Sequence, residues 1–334
     1  MSGAEMWWNQ VPGPIRLVNR MSQVILDGES VWLSGEMTWR DEFRMFVKMK
    51  VEEENSSIGF HIVDIHDFPD NQKIDDLIFS YDENARQGYL PAIPLVDYIC
   101  KRNVLPDSII WLYGINDNRY ERWLEFSRML ARKHAGLRII CEGVACKGNW
   151  RGITELDAGK EISEFDTLLF AMTSVSELNW SPGMKTYASR LLSEIAGSKA
   201  EVILSLAKHV DRLVDDPVGY TLEIWQDVNE ADIRNAVRSA QIKTLYPKVE
   251  QEREIFISGV LDRATKLLPF TDDHGNTFST PLDMELRHLI FFYNRGDLKL
   301  SGEERNVLDL IYNARNMLSH RKIVSSEKVK KILR

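Results

Sequence analysis

Apolar residues recur at helical spacing over 14–28, where Ile15, Leu17, Val18, Met21, Val24, Ile25 and Leu26 mark one side of an amphipathic helix. A short strand is predicted over 30–35, and helical spacing returns over 39–53 with Phe43, Phe46, Val47 and Val51. Residues 58–65 alternate as a strand does, and 74–79 and 91–102 read as helices. The run Ile109-Ile110-Trp111-Leu112-Tyr113-Gly114 is the most strand-like in the chain. An amphipathic stretch over 118–134 and an apolar strand over 137–141 follow, and the apolar run 165–172 is a further candidate strand. Strands alternating with helices of this length predict a parallel sheet covered by helices.

After Ser181-Pro182-Gly183 the pattern turns helical with short connections, over 187–195, 200–214 and 220–225. From Glu230 one long helix is expected to about Leu268, interrupted or kinked near Pro247. The turn-rich stretch 271–280, with Asp272-Asp273-His274-Gly275-Asn276, reads as a loop. Helices over 282–293, 301–318 and 325–333 complete an all-α C-terminal bundle from about 231. Ser301, with Glu304 three residues on, is the pattern of a capping box.

Composition narrows the class. The chain has 334 residues, 44% of them hydrophobic and 10% aromatic, enough for two compact units with real cores. Nine tryptophans imply large buried contacts or an interface. A net charge of −8 argues against non-specific coating of nucleic acid. Residues 281–334 run the other way, with eleven basic against seven acidic side chains. That asymmetry fits an anionic partner at the C-terminal end, and equally a tail docked on its own acidic body. Three cysteines, Cys100, Cys141 and Cys146, make neither a disulfide framework nor a zinc knuckle. Without a membrane-length apolar run or a signal segment, the expectation is a cytoplasmic protein that makes no use of a membrane.

The order of elements in the first half resembles a P-loop ATPase of the AAA or STAND kind, with 185–225 in the place of its helical lid. The resemblance implies a nucleotide-binding-like domain over 1–180, a lid-like segment over 181–230 and a separate C-terminal unit over 231–334. The residues that carry ATP chemistry are missing. After the first strand stand Ser34-Gly35-Glu36-Met37-Thr38-Trp39-Arg40, with a single glycine, no lysine and a carboxylate that would repel phosphate. Where the family has Asp-Glu after its metal-binding strand, this chain has Tyr113-Gly114, and Asp117 comes too late to replace them. A degenerate, P-loop NTPase-like α/β body without ATP hydrolysis, and with no cofactor, is the resulting expectation.

Near the end stand Arg315-Asn316-Met317-Leu318-Ser319-His320, closing an amphipathic helix. A guanidinium there could hold a phosphate while an imidazole moves a proton. The spacing alone is close to what chance provides; its position in the basic end of an acidic chain raises its value. The helix 304–320 resembles the motif helix of HEPN domains, which carry Arg, a polar residue, three variable residues and His on a small helical bundle. Many HEPN proteins are metal-independent ribonucleases of microbial defence systems that pair two motifs in a homodimer. The resemblance implies that Arg315 polarises the scissile phosphate of RNA, His320 acts as general acid or base, and Asn316 orients one of them. A second reading stays open: a non-enzymatic scaffold or sensor, with Arg315 paired to a carboxylate such as Asp309 or Glu285 and the bundle used for protein association.

Other chemistry-bearing residues read more plainly. His61, Asp64, His66 and Asp67 surround a strand end, but 61 and 64 point to opposite faces, so a solvated strand end is favoured over a metal site. His274 with Asp272 and Asp273 reads as a solvated loop, and His288 beside Arg287 as an accessory or a core residue.

Overall fold

The structure, a computed structural model, describes residues 2–67, 73–115, 117–143 and 150–334, without the side chains of 117–120. Cys146 and the Asp117 side chain therefore lie outside the described residues. Contacts divide the chain into two units, Met1–Thr167 with Ser198–Glu201, and Leu168–Gly197 with Val202–Arg334.

The first unit is an α/β domain. Its entry is α1 (Gly3–Gln10), whose N-terminus is closed by a reciprocal Ser2–Glu5 capping box. α2 (Pro12–Leu26) starts with proline at its first turn, where the missing N–H has no intrahelical partner to lose. β1 (Ser30–Ser34), α3 (Arg40–Glu54), β2 (Gly59–Asp64), α4 (Ile74–Ser80), α5 (Glu83–Gln87), α6 (Leu95–Arg102), β3 (Ser108–Tyr113), α7 (Asp117–Arg132), β4 (Arg138–Glu142), β5 (Ile153–Asp157) and α8 (Ala158–Glu161) follow.

The five strands form one parallel sheet in the order β2-β3-β4-β1-β5. The two-residue period of a strand sorts the side chains of the central strands. Trp32, Ile110, Leu112, Ile139 and Cys141 share a core with residues of α4, α6 and α7. On the opposite face Trp111 meets Phe43 of α3, which in turn packs on Trp8 of α1. Burial on both faces explains why these strands read as continuous apolar runs. The chain leaves β1 for the far edge, returns through β3 and β4, and crosses to β5. With right-handed crossovers this reversal places α3 on one face and the helices after β2 and β3 on the other. It also opens a crevice at the carboxyl ends of β1 and β4.

Two expectations about the sheet are corrected. The run 165–172 is not a strand but part of α9 (Glu164–Val175). An apolar run of that length fits either state, and here Asp166 decides it. Its carboxylate accepts from the Ser163 N–H and hydroxyl, closing the helix start, and from the Gly13 N–H of α2. A Cβ at Gly13 would lie 2.5 Å from that carboxylate, so the approach requires glycine. The fifth strand is instead β5, whose Ile153-Thr154-Glu155-Leu156-Asp157 is short and half polar; its full-length pairing to β1 defines it.

The second unit is mostly helical: α10 (Pro182–Ala196), α11 (Ala200–Ala207), α12 (Val210–Asp215), α13 (Pro217–Ile224), α14 (Glu230–Gly259), α15 (Leu261–Thr265), α16 (Leu286–Arg295), α17 (Gly302–Ser319) and α18 (Ser326–Ile332). α14, 30 residues long, contains Pro247 without ending there, and α10, α13, α17 and α18 all pack on it. The stretch expected as a loop closes as a two-stranded hairpin, β6 (Phe270–Thr271) with β7 (Thr277–Phe278). Asp272 builds its turn, accepting from the His274 and Asn276 N–H groups.

Candidate functional site

α17 begins with the Ser301–Glu304 capping box that its sequence predicts, and buries Leu308, Ile311, Ala314 and Leu318 along one side. Arg315 follows Ala314 at the margin of that side and is part-buried. Its Nε lies 3.3 Å from Glu250 Oε1, and its Nη1 lies 3.9 Å from Glu285 Oε2. The guanidinium is thus held between a carboxylate of α14 and the N-cap residue of α16.

Each carboxylate is itself held in place. Glu250 Oε2 accepts from Arg253 Nε at 2.9 Å, and Arg253 Nη1 donates to the carbonyls of Leu282 and Met284 at 3.0 and 3.1 Å. Arg253 therefore ties the turn before α16 to α14 and fixes where Glu285 stands. Glu285 closes a reciprocal cap with His288: its carboxylate takes the His288 N–H, and its own N–H donates to His288 Nδ1 at 3.1 Å. Glu285 Oε2 also lies 3.1 Å from Arg287 Nε.

His288 is buried. Because Nδ1 accepts a hydrogen bond, the neutral ring carries its proton on Nε2, which faces Asp272 Oδ2 at 3.8 Å. Burial lowers its pKa from the ordinary histidine value, and the neighbouring Arg287 charge lowers it further.

The other two motif residues stand apart from this network. Asn316 contributes its carbonyl, which accepts the His320 N–H at 3.0 Å. His320 is the exposed C-cap of α17, and its imidazole has no hydrogen-bond partner among the described residues. Five residues of regular helix turn by about 140° beyond a full circle, so positions 315 and 320 do not share a face. The structure brings Arg315 to Glu250 and Glu285; no hydrogen bond joins it to His320. Of the carboxylates the sequence offers to Arg315, Glu285 is near, whereas Asp309 bonds Arg305 at 2.8 Å. Glu250 has no local signal, being 65 positions away in sequence.

At the crevice of the α/β unit the described charges pair with one another. Glu142, at the end of β4, is buried and takes a two-point bond from Arg44 of α3, Nε to Oε2 at 2.8 Å and Nη2 to Oε1 at 3.0 Å. Trp111 Nε1 donates to the same carboxylate at 3.0 Å, and the Tyr113 ring lies 3.8 Å from the Arg44 guanidinium carbon. Gly35 (φ 92°) packs closely against the start of α8, where a Cβ would come within 3.0 Å of Asp157 Oδ1 and the Gly159 nitrogen. Glu36 accepts from the Ser198 hydroxyl at 3.2 Å. α3 has no side-chain cap and carries Asp41 and Glu42 in its first turn, which disfavours an anion there.

At the β2 end, His66 Nδ1 lies 3.0 Å from Asp64 Oδ1, while His61 packs on Tyr81 with ring centroids 4.1 Å apart. Among the described residues no group of three or more His, Cys, Asp and Glu side chains is arranged to hold a metal ion. No described helix is long and apolar enough to cross a membrane. Comparison of the chain with protein-family models finds none that matches, and a search of curated proteins finds no significant match.

Proposed function

We propose that residues 231–334 form a HEPN-like domain that cleaves RNA without metal, carried by a P-loop-like α/β body that no longer hydrolyses ATP. The observation that carries this reading is a part-buried arginine held only by carboxylates, on the helix whose C-cap is an exposed histidine with no side-chain hydrogen bond among the described residues. In this scheme Arg315 exchanges its carboxylate partners for the scissile phosphate and stabilises the charge that builds on it. The 2′-oxygen attacks phosphorus and gives its proton to His320 of one copy, and the 5′-oxygen departs with a proton from His320 of a second copy. A 2′,3′-cyclic phosphate and a 5′-hydroxyl result. Asn316 orients one of these groups. Such a function fits a defence-type protein acting as a homodimer. The self-paired Arg44–Glu142 crevice supports the view that the body positions this end rather than driving it with ATP.

The test is incubation of the purified chain with RNA in EDTA beside Arg315→Ala and His320→Ala. Loss of cleavage in both variants supports the reading; absent cleavage, or cleavage unchanged in both, rejects it.

A second reading has its own observation. An arginine held between Glu250 and Glu285 is what a structural crosslink of α14, α16 and α17 looks like. In that case the chain is a scaffold or sensor whose helices bind a protein partner. Arg315→Ala then lowers the melting temperature and leaves RNA binding untouched.

A further inference from the structure

β6, the hairpin turn and α16 line an open cavity of about 190 Å³ beside the Arg315 network. Two of its walls are Phe270 and Phe291, whose ring centroids lie 6.1 Å apart with planes tilted by 31°. Phe291 is 44% exposed, so one ring face is open to a ligand, and the Arg295 guanidinium carbon lies 5.2 Å from its centroid. The remaining lining is polar and contains Asp272, Asp273 and Arg287. Asp272 is occupied by the turn, whereas the Asp273 carboxylate is exposed and has no partner among the described residues.

That lining is selective. With Asp272 held by the turn and by Arg287, the carboxylate left over in the lining is that of Asp273, which favours a hydrogen-bond donor as occupant. A flat ring that stacks on phenylalanine and offers an N–H to a carboxylate suits it. The cavity also adjoins the motif: Glu285 Oε2 stands 3.1 Å from Arg287 Nε and 3.9 Å from Arg315 Nη1, so one carboxylate oxygen separates the two guanidinium groups. A phosphate that replaced Glu285 on Arg315 would leave an attached base within reach of the cavity.

We propose that this cavity holds one unpaired nucleobase of a single-stranded RNA whose phosphate lies on Arg315. The inference rests on the RNA reading above and names its substrate class. The base stacks on Phe291, and its exocyclic amine donates to Asp273. Adenine, cytosine and guanine carry that amine, whereas uracil offers only its ring N3–H and stacks more weakly than adenine, so oligouridylate binds less tightly than oligoadenylate. A base already paired in a duplex cannot enter.

The experiment is fluorescence anisotropy in EDTA with labelled oligoadenylate and oligouridylate of equal length, and with a duplex as competitor. Wild type is compared with Phe291→Ala, Phe291→Trp and Arg315→Ala. Phe291→Ala should weaken oligoadenylate binding about tenfold, and Phe291→Trp should retain it. If Phe291→Ala binds like wild type while Arg315→Ala is weakened, the cavity assignment falls and the RNA reading stands. Equal binding of the two oligonucleotides, or effective competition by duplex, also overturns the cavity. If wild type binds neither oligonucleotide, both readings fall together.

Discussion

Gln241 and Val324 are joined by two hydrogen bonds: Gln241 Oε1 accepts the Val324 N–H at 2.8 Å, and Gln241 Nε2 donates to the Val324 carbonyl at 2.9 Å. Both residues are buried, and Gln241 lies on α14. One side chain thus satisfies both backbone groups of the segment that leads from His320 to α18, at a point where neither helix nor strand does so. The position of the α17 end is set by this clamp as well as by packing.

Gln241→Leu keeps the volume and leaves two buried backbone groups unsatisfied, each costing about 1–3 kcal/mol. Urea unfolding should therefore show a loss of roughly 2–6 kcal/mol. A change below about 0.5 kcal/mol, within the range of ordinary surface substitutions, would mean that the clamp contributes nothing.

Breaking the Arg44–Glu142 pair strands a buried charge. Glu142→Ala and Arg44→Ala should each destabilise the α/β unit by about 3–5 kcal/mol, and the double variant should cost less than the sum of the two. Chemical denaturation of the three variants checks this. Additive losses would show that the two side chains do not depend on each other.

Glu250→Gln removes a charge from beside Arg315 while keeping its shape. If Arg315 exchanges carboxylates for phosphate, RNA should bind roughly fivefold more tightly, the equivalent of a part-exposed ion pair worth about 1 kcal/mol. Unchanged affinity together with a lower melting temperature would favour the structural role of Arg315.

Stability should fall with acid in two stages. His288 has its pKa lowered by burial and by Arg287, so the folded state favours the neutral ring; stability is lost as pH falls below about 6.5, toward the lowered folded value. Asp272, Glu285 and Arg287 are the charged groups facing it. Glu304 is held down to about 2, first by its bonds to Arg263 and then by the Ser301 N–H. Its contribution is full above the ordinary value near 4.5 and is lost as pH falls from there toward 2. A pH series of melting temperatures should show a shallower lower stage in Glu304→Gln. If that variant keeps the wild-type slope below pH 4.5, the assignment to Glu304 is wrong.

Some of this was legible residue by residue. Ser301 and Glu304 announce the start of α17 because a capping box is completed within one turn of chain. Ile109–Leu112 announce β3 because burial on both sheet faces requires apolar side chains at every position. The run 165–172 misled because its apolar content suits a strand or a buried helix equally, and β5 was missed because two buried residues, Ile153 and Leu156, are too few to show a period. The single glycine and the lack of a lysine over 34–40 are facts of residue type alone, and a phosphate cradle depends on residue types within a few positions.

By itself, then, the sequence determined the alternation of strands and helices, the helix that ends in Arg315 and His320, and the absence of a lysine and a glycine nest after β1. Those features depend on side-chain chemistry and hydrogen bonding over a few residues. Tertiary structure alone decided the partners: Glu142 for Arg44 across 98 positions, Glu250 for Arg315 across 65, and a cavity between a hairpin and α16. Charges and rings meet there because packing brings particular helix faces together, and no short-range pattern encodes which faces those are.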